Sequence, residues 1–95
     1  MTSTPSQTCR TTVTIQNRLG LHARPAMALV DTVNRFKASV KIRKEEQVVD
    51  GKSIMQVMML AATHGTELEL EATGPDAPEL IDHVTELVNR KFDEE

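Results

Sequence analysis

The chain has 95 residues and one cysteine, Cys9, which suits a small domain with one modest core and excludes a disulfide framework or a Cys-x-x-Cys metal site. Its net charge of -3 and its two aromatic residues argue against nucleic acid and anionic membranes as partners, because both basic excess and stacking side chains are missing. No apolar run approaches the roughly 18 residues of a membrane span, and the polar N-terminal segment does not resemble a secretory signal, so a cytoplasmic location is expected.

The first half of the chain predicts a tail, a strand and a helix. Residues 1–10 are polar and predict a flexible N-terminal tail, which leaves residues 11–95 as the folded domain. Alternation over Thr12–Gln16 predicts the first strand. A helical period of apolar residues then predicts a helix from Ala23 to Phe36, with Pro25 in its first turn, where the missing N–H costs little.

Two strands and a short helix are predicted in the middle of the chain. Alternation over residues 38–43 predicts the second strand, and residues 47–49 predict a short third strand. Ser53 and Gln56 have the spacing of a capping box, in which each side chain satisfies a backbone N–H of the first turn. They predict the start of a second helix, which ends by His64-Gly65.

The last third predicts the clearest strand and a third helix. Residues 67–72 alternate leucine or alanine with glutamate. Asp76 begins a second capping-box pattern and predicts a helix whose apolar stripe ends near Phe92, followed by a frayed acidic end at residues 92–95. The order βαββαβα predicts an α+β fold, a four-stranded antiparallel sheet with three helices on one face. Ferredoxin-like folds share this order.

The segment Gly20–Pro25 is the candidate chemical site. His22 falls at the predicted start of the first helix, where the helix dipole disfavours a protonated ring and favours a neutral nucleophile. An anion held on His22 would meet unpaired N–H groups, and Arg24 adds a cation suited to phosphate oxygens. The pattern therefore suits a histidine that carries a phosphoryl group. The alternative is a helix-capping surface histidine beside a solvated arginine.

Other chemistries lack their residue patterns. His22, His64 and His83 have no zinc-site spacing, so no metal site is expected. The Gly-x-Ser-x-Gly elbow of serine hydrolases is absent. A ferredoxin-like module that binds a ligand or carries a metal is the alternative from a different functional class, although the missing Cys-x-x-Cys argues against metal carriage.

Two separated segments resemble those of one family. Residues 17–26, Asn-Arg-Leu-Gly-Leu-His-Ala-Arg-Pro-Ala, look like the active-site segment of HPr, the histidine phosphocarrier of the bacterial phosphoenolpyruvate-dependent phosphotransferase system. Residues 51–60, Gly-Lys-Ser-Ile-Met-Gln-Val-Met-Met-Leu, resemble the family's second signature at the expected distance. The resemblance covers about residues 11–92 and implies an open-faced β-sandwich.

The resemblance also implies the chemistry. His22 would accept a phosphoryl group on Nδ1 from phospho-Enzyme I and pass it to an EIIA-type protein, while Arg24 would support the group during transfer. Such a protein is a carrier between two enzymes and turns over no small molecule itself. It would hold no cofactor, because magnesium and phosphoenolpyruvate belong to Enzyme I, and it is expected to be a monomer.

Ser53 combines a structural role as a helix cap with a regulatory role that the resemblance implies. In the branch with Gly-Lys-Ser-Ile-Met, the matched serine is phosphorylated by an ATP-dependent HPr kinase/phosphorylase. About two added negative charges, beside Lys52, would repel the acidic site of Enzyme I. Gln56 and Asp50 depart from that branch's usual glycine and asparagine. The ending at residues 92–95 is similar to the nitrogen-branch paralogue NPr, so a nitrogen-branch or purely regulatory paralogue is the alternative.

A partner-docking surface is expected around His22, because a short helix cannot bury all of its sides. Methionine side chains adapt to different partners, which suits a protein that docks on several in turn. The expected docking residues are Leu21, Ala23, Met27, Lys52, Ile54, Met55 and Met58.

Overall fold

A computed structural model describes residues 7–94, which form four strands, three α-helices and a short 3-10 turn at the C-terminal end. The elements in chain order are β1 (Gln7–Thr14), α1 (Ala23–Val33), β2 (Ser39–Lys44), β3 (Gln47–Asp50), α2 (Ile54–Met59), β4 (Glu67–Gly74), α3 (Ala77–Asn89) and the C-terminal turn (Lys91–Asp93). No helix within residues 7–94 is both long and apolar enough to cross a membrane.

The strands form one antiparallel sheet in the order β1-β4-β2-β3. Alternation puts one face of the sheet into the core, where the buried strand residues include Val40, Ile42, Leu68, Leu70 and Ala72. The helices cover this face, and the opposite face carries charged side chains such as the pair Arg10 and Glu71, whose Nη2 and Oε2 atoms lie 2.7 Å apart. The sheet is thus covered on one side only, which confirms the predicted open-faced β-sandwich.

Strand β1 begins at Gln7, five residues before the predicted strand at Thr12. Residues 7–10, which we assigned to a flexible tail, pair instead with residues 71–74 of β4, so the boundary at residue 10 is corrected. Cys9 and Thr11 occupy partly buried positions in this segment. Neither is strongly apolar, so the alternation that marks a strand is weak there. The rest of the predicted tail, residues 1–6, lies outside the described residues.

Helix α1 ends at Val33 and not at Phe36. The backbone N–H of Asn34 donates the last helical hydrogen bond to the Val30 carbonyl (2.9 Å), and the Asn34 side chain donates to the same oxygen (2.9 Å). Phe36 still packs against the core, and its ring lies 5.1 Å from that of His83. The apolar spacing that includes Phe36 therefore indicates a residue packed on the core, and not a continuation of the helix.

The second capping box is wrong, because Asp76 does not cap α3 with its side chain. Its carboxylate accepts hydrogen bonds from the backbone N–H groups of Lys37 (2.9 Å) and Ala38 (2.7 Å). The Lys37 hydrogen bond contributes most to lowering the pKa of Asp76 below its ordinary value, with the Ala38 bond acting in the same direction. The side chain thus ties the turn before α3 to the connection between α1 and β2.

Only one of the two hydrogen bonds of the first predicted capping box forms. Ser53 Oγ accepts from the Gln56 N–H (3.3 Å), as predicted. The Gln56 side chain instead accepts from the Asp50 N–H (2.9 Å), which fixes the end of β3 to α2. Helix α2 buries only Val57, so most of its surface faces outward.

Candidate functional site

The connection between β1 and α1 holds His22 against the loop that precedes β4. The Leu21 N–H donates to the Ala62 carbonyl (2.8 Å), and Gly20 makes the close approach possible. Gly20 has φ +73°, and a Cβ there would lie 2.6 Å from the Ala62 oxygen. His22 follows in extended conformation as the N-cap residue of α1, which confirms its predicted place at the start of the helix.

The first turn of α1 carries donors and no acid. The N–H groups of Ala23 and Arg24 have no acceptor within the helix, and Pro25 has no N–H to offer. No acidic residue lies in this turn to offset the positive end of the helix dipole. An anion beside His22 would therefore meet two backbone donors at the positive end of the helix dipole.

The His22 ring does not cap the helix; it faces the C-terminal end of the chain. Its Nε2 atom lies 2.9 Å from Glu94 Oε1. Asn17 Nδ2 donates to the same oxygen (2.9 Å) and to the Gly20 carbonyl (2.7 Å). The predicted frayed acidic end is therefore wrong at Glu94, which belongs to the site.

Asn17 joins these groups from inside the protein. Its side chain is fully buried, and its two amide hydrogens connect the Gly20 backbone with Glu94. Its Oδ1 atom has no hydrogen-bond partner among the described residues. The amide orientation is fixed by chemistry, because both neighbouring oxygens are acceptors and require the NH₂ group.

Glu94 is ionised beside His22. The hydrogen bond to His22 contributes most to lowering its pKa, the Asn17 bond and the positive charge of Arg24 act in the same direction, and burial opposes them. An ionised carboxylate only accepts hydrogen bonds, so Nε2 of His22 carries the proton in this contact. In the neutral ring Nδ1 then has the free lone pair, and no residue from 7 to 94 forms a hydrogen bond with it.

Arg24 lies exposed in the first turn of α1. Across residues 7–94 its guanidinium forms no ion pair, although its charge reaches Glu94. The side chain is thus available to a group that arrives at His22. His64 lies in the loop before β4 and His83 on α3. Within the described part of the chain no cluster of His, Cys, Asp or Glu is arranged to hold a metal ion.

The expected docking residues divide into exposed and buried ones. Leu21 is only 4 % exposed, so its expected place on an exposed patch is wrong: its backbone bond to Ala62 turns the side chain into the core. Ile54 is half-buried, and Lys52 donates through Nζ to the Phe36 carbonyl (2.9 Å). Ala23 is exposed.

Four exposed methionines form what we call the methionine surface: Met27 on α1 and Met55, Met58 and Met59 on α2. Helices α1 and α2, which carry these side chains, pack against each other. Met59 and exposed Leu19 were missed in the sequence, where helical spacing indicated core for some methionines.

Ser53 lies at the opposite end of α1 from His22. Asn34, just after α1, donates to the Lys52 carbonyl (3.4 Å), whereas His22 precedes the helix. Because α1 has 11 residues, its ends are roughly 16 Å apart. His22 and Ser53 are therefore separate sites.

Comparison with known proteins identifies the family. The family model described as "PTS HPr component phosphorylation site" matches residues 9–90. The chain belongs to the HPr family. HPr of Pseudomonas aeruginosa is 48 % identical over 83 residues, which cover 86 % of this chain and 92 % of that protein. NPr of Escherichia coli K12 is 40 % identical over 89 residues, which cover 93 % and 99 %.

Solved structures agree with this assignment. The crystal structure of "HPr-C-His from Thermoanaerobacter tengcongensis" matches with a TM-score of 0.88 and 38 % identity, covering 92 % of this chain and 98 % of that one. The HPr fold settles the architecture that element order left open, so the ferredoxin-like alternative is wrong. The resemblance to phosphocarriers of the phosphotransferase system is confirmed, with relatives named both HPr and NPr.

Proposed function

We propose that this phosphocarrier accepts a phosphoryl group on Nδ1 of His22 from phospho-Enzyme I and passes it to an EIIA-type protein. One observation carries the proposal: a partly exposed His22 precedes α1 with Nε2 engaged by Glu94 and Nδ1 free of the described residues. The nucleophilic atom is thus the one open to a donor.

The transfer is a displacement at phosphorus. The Nδ1 lone pair forms a bond to phosphorus while the bond to the donor's phosphorylated residue breaks, and the donor keeps that electron pair. The Arg24 guanidinium and the free N–H groups of the first turn stabilise the phosphoryl oxygens. Transfer to the EIIA-type acceptor repeats the displacement with His22 as the leaving group.

The methionine surface provides the docking area in this proposal. It is apolar and adaptable, and it lies on the helix that carries His22 and on the helix packed beside it. Enzyme I and the acceptor would use it in turn, with the carrier as a cytoplasmic monomer. No cofactor is needed in this protein, because phosphoenolpyruvate and magnesium act on Enzyme I.

The proposal is tested by intact mass after incubation with cognate Enzyme I, magnesium and phosphoenolpyruvate. We expect the mass of one acid-labile phosphoryl group on the wild type and on His83→Ala, a control that removes an exposed histidine on α3. His22→Ala should gain nothing. Labelling of His22→Ala, or no labelling of the wild type by an Enzyme I proven active, would refute the proposal.

Regulation at Ser53 is the second part of the proposal. A phosphate on Ser53 would stand at the start of the helix that carries Met55, Met58 and Met59, and would place negative charge on the docking surface. Incubation with ATP and an HPr kinase/phosphorylase should modify the wild type and not Ser53→Ala. An unmodified wild type would refute this role.

The Enzyme I that phosphorylates this protein decides to which branch of the phosphotransferase system it belongs. Relatives of both names match, and the ending at residues 92–95 is similar to that of NPr, which favours the nitrogen branch as the alternative. Labelling rates with a sugar-branch Enzyme I and with its nitrogen-branch paralogue would decide between them. A regulatory role alone is refuted by fast labelling from either donor.

A further inference from the structure

The contact between Glu94 and His22 joins residues that are 72 positions apart. The backbone directly before Glu94 adopts an unfavourable conformation to form it. After α3 the chain turns through Lys91, Phe92 and Asp93, whose φ values are +58°, +55° and +61°. Left-handed backbone is unfavourable for each of these residues, because none is glycine. Residues in such conformations persist only where the surroundings hold them.

Two sets of contacts hold this turn. Phe92 is buried in the core at 7 % exposure, and Arg90 donates to Asp93 (3.1 Å) and to Glu86 (3.1 Å). Glu94 follows this turn directly, and its Oε1 atom lies 2.9 Å from His22 Nε2. Phe92 thus anchors the chain while the next two residues redirect it toward the site.

A residue from the loop after β1 also binds Glu94. The buried Asn17 amide donates to the same Oε1 atom that contacts His22, and it also donates to Gly20. The chain of contacts Gly20–Asn17–Glu94–His22 thus connects the backbone before α1 with the ring at its start. A carboxylate oxygen bound on two sides is less mobile than a surface ion pair.

We infer that Glu94 is a positioning residue for phosphorylation of His22: its carboxylate holds the Nε2–H tautomer and the ring orientation that presents Nδ1 to the donor. The inference rests on the proposed function and deepens it. Glu94 does not touch the phosphoryl group in this scheme, because Nε2 and Nδ1 lie on different sides of the ring.

The carboxylate helps in both states of the ring. Before transfer it keeps the proton on Nε2, so the Nδ1 lone pair can attack phosphorus while the donor's bond to phosphorus breaks. After transfer the ring bears phosphorus on Nδ1 and keeps the proton on Nε2, and the negative charge of Glu94 offsets the positive charge of that ring. The proton thus never leaves Nε2, and no further base is required.

The first test needs no phosphorylation. Long-range proton–nitrogen NMR of the imidazole nitrogens reports which nitrogen of neutral His22 carries the proton. We expect the Nε2–H form in the wild type, a mixture of tautomers in Glu94→Ala, and the wild-type form in Glu94→Gln, since the amide oxygen can still accept from Nε2 and from Asn17. Glu67→Ala, which removes an exposed glutamate from β4, should match the wild type.

The second test measures single-turnover transfer from phospho-Enzyme I. Glu94→Ala should lower the maximal rate about tenfold, as expected for a lost hydrogen bond to a charged group, with the half-saturating carrier concentration unchanged. Glu94→Gln should recover part of the rate. The inference is overturned if Glu94→Ala keeps either the wild-type tautomer or the wild-type rate. A wild type that is never phosphorylated refutes the proposed function instead, while the NMR result still decides the role of Glu94.

Discussion

Gly20 sets the backbone that carries His22. Alanine at this position would combine an unfavourable φ of +73° with a Cβ 2.6 Å from the Ala62 oxygen. We expect Gly20→Ala to lower the free energy of unfolding by about 1–3 kcal/mol, as for a strained residue that must also displace its neighbours. Urea unfolding measures this loss, and the phosphorylation rate should fall with it because the Leu21–Ala62 contact shifts.

Gly65 provides the matched control. It also has positive φ (+88°), but a Cβ there meets no atom within 4 Å. Gly65→Ala therefore carries only the backbone penalty of about 1 kcal/mol and leaves His22 in place. Equal losses of stability and of transfer rate in the two variants would show that the close approach to Ala62 does not matter.

Single residues of the site differ in how far the sequence predicts them. His22, Arg24 and the first turn of α1 form one local pattern, so their placement follows from residues within four positions of each other. Glu94 and Asn17 reach the site only through closure of the fold, which no local spacing encodes. The available signal in the sequence was the acidic segment directly after the apolar residue Phe92. Because Phe92 is buried in the structure, it fixes the position of the residues that follow it.

Helix α2 carries three of the six large apolar side chains that are exposed among residues 7–94. Met55 on it is 76 % exposed, so a charge there should not disturb the core. We expect Met55→Asp to reduce transfer from Enzyme I about tenfold at low carrier concentration, as for a central interface residue, with a change in unfolding free energy within about 0.5 kcal/mol. Rapid-quench assays measure the transfer rate from Enzyme I, and urea unfolding measures the change in unfolding free energy.

The control for Met55 lies on another element. Val48 is also exposed, at 51 %, but belongs to β3 at the edge of the sheet. Val48→Asp should leave transfer unchanged while adding the same charge. Similar losses in both variants would mean that total charge, and not the methionine surface, governs docking.

Elements were predictable where the apolar pattern was strong. Strand β4 alternates without interruption and was placed within two residues of its ends. The first half of β1 has Cys9 and Thr11 at its partly buried positions, so the pattern that would reveal it is faint. Asp76 shows a different limit: its capping pattern was present, but tertiary backbone donors at Lys37 and Ala38 took its carboxylate.

For the whole molecule, the element order allowed several sheet topologies. The open-faced β-sandwich entered through the resemblance to HPr and not through periodicity, and the strand order β1-β4-β2-β3 is known from the structure alone. Two carboxylates complete this architecture by joining distant segments. Asp76 links the start of α3 to the end of the α1–β2 connection, and Glu94 links the C-terminal turn to the site.

These two links make the stability of the molecule depend on pH in a predictable direction. The folded protein lowers the pKa of Asp76 from 3.8 and that of Glu94 from 4.5. A depressed pKa means that the unfolded chain binds protons more readily than the folded one. The stabilisation is therefore fully present above these ordinary values and is lost as the pH falls through the lower values of the folded state.

Urea unfolding from pH 7 down to pH 2.5 tests this prediction. The wild type should lose stability as the pH falls below about 4.5, the ordinary value for a glutamate. Asp76→Asn should be less stable at pH 7, because one of the two backbone donors loses its acceptor, and its stability should fall less steeply on acidification. Parallel curves for the two proteins would show that the Asp76 carboxylate contributes nothing to acid sensitivity. In that case the link between α3 and the α1–β2 connection would depend on packing alone.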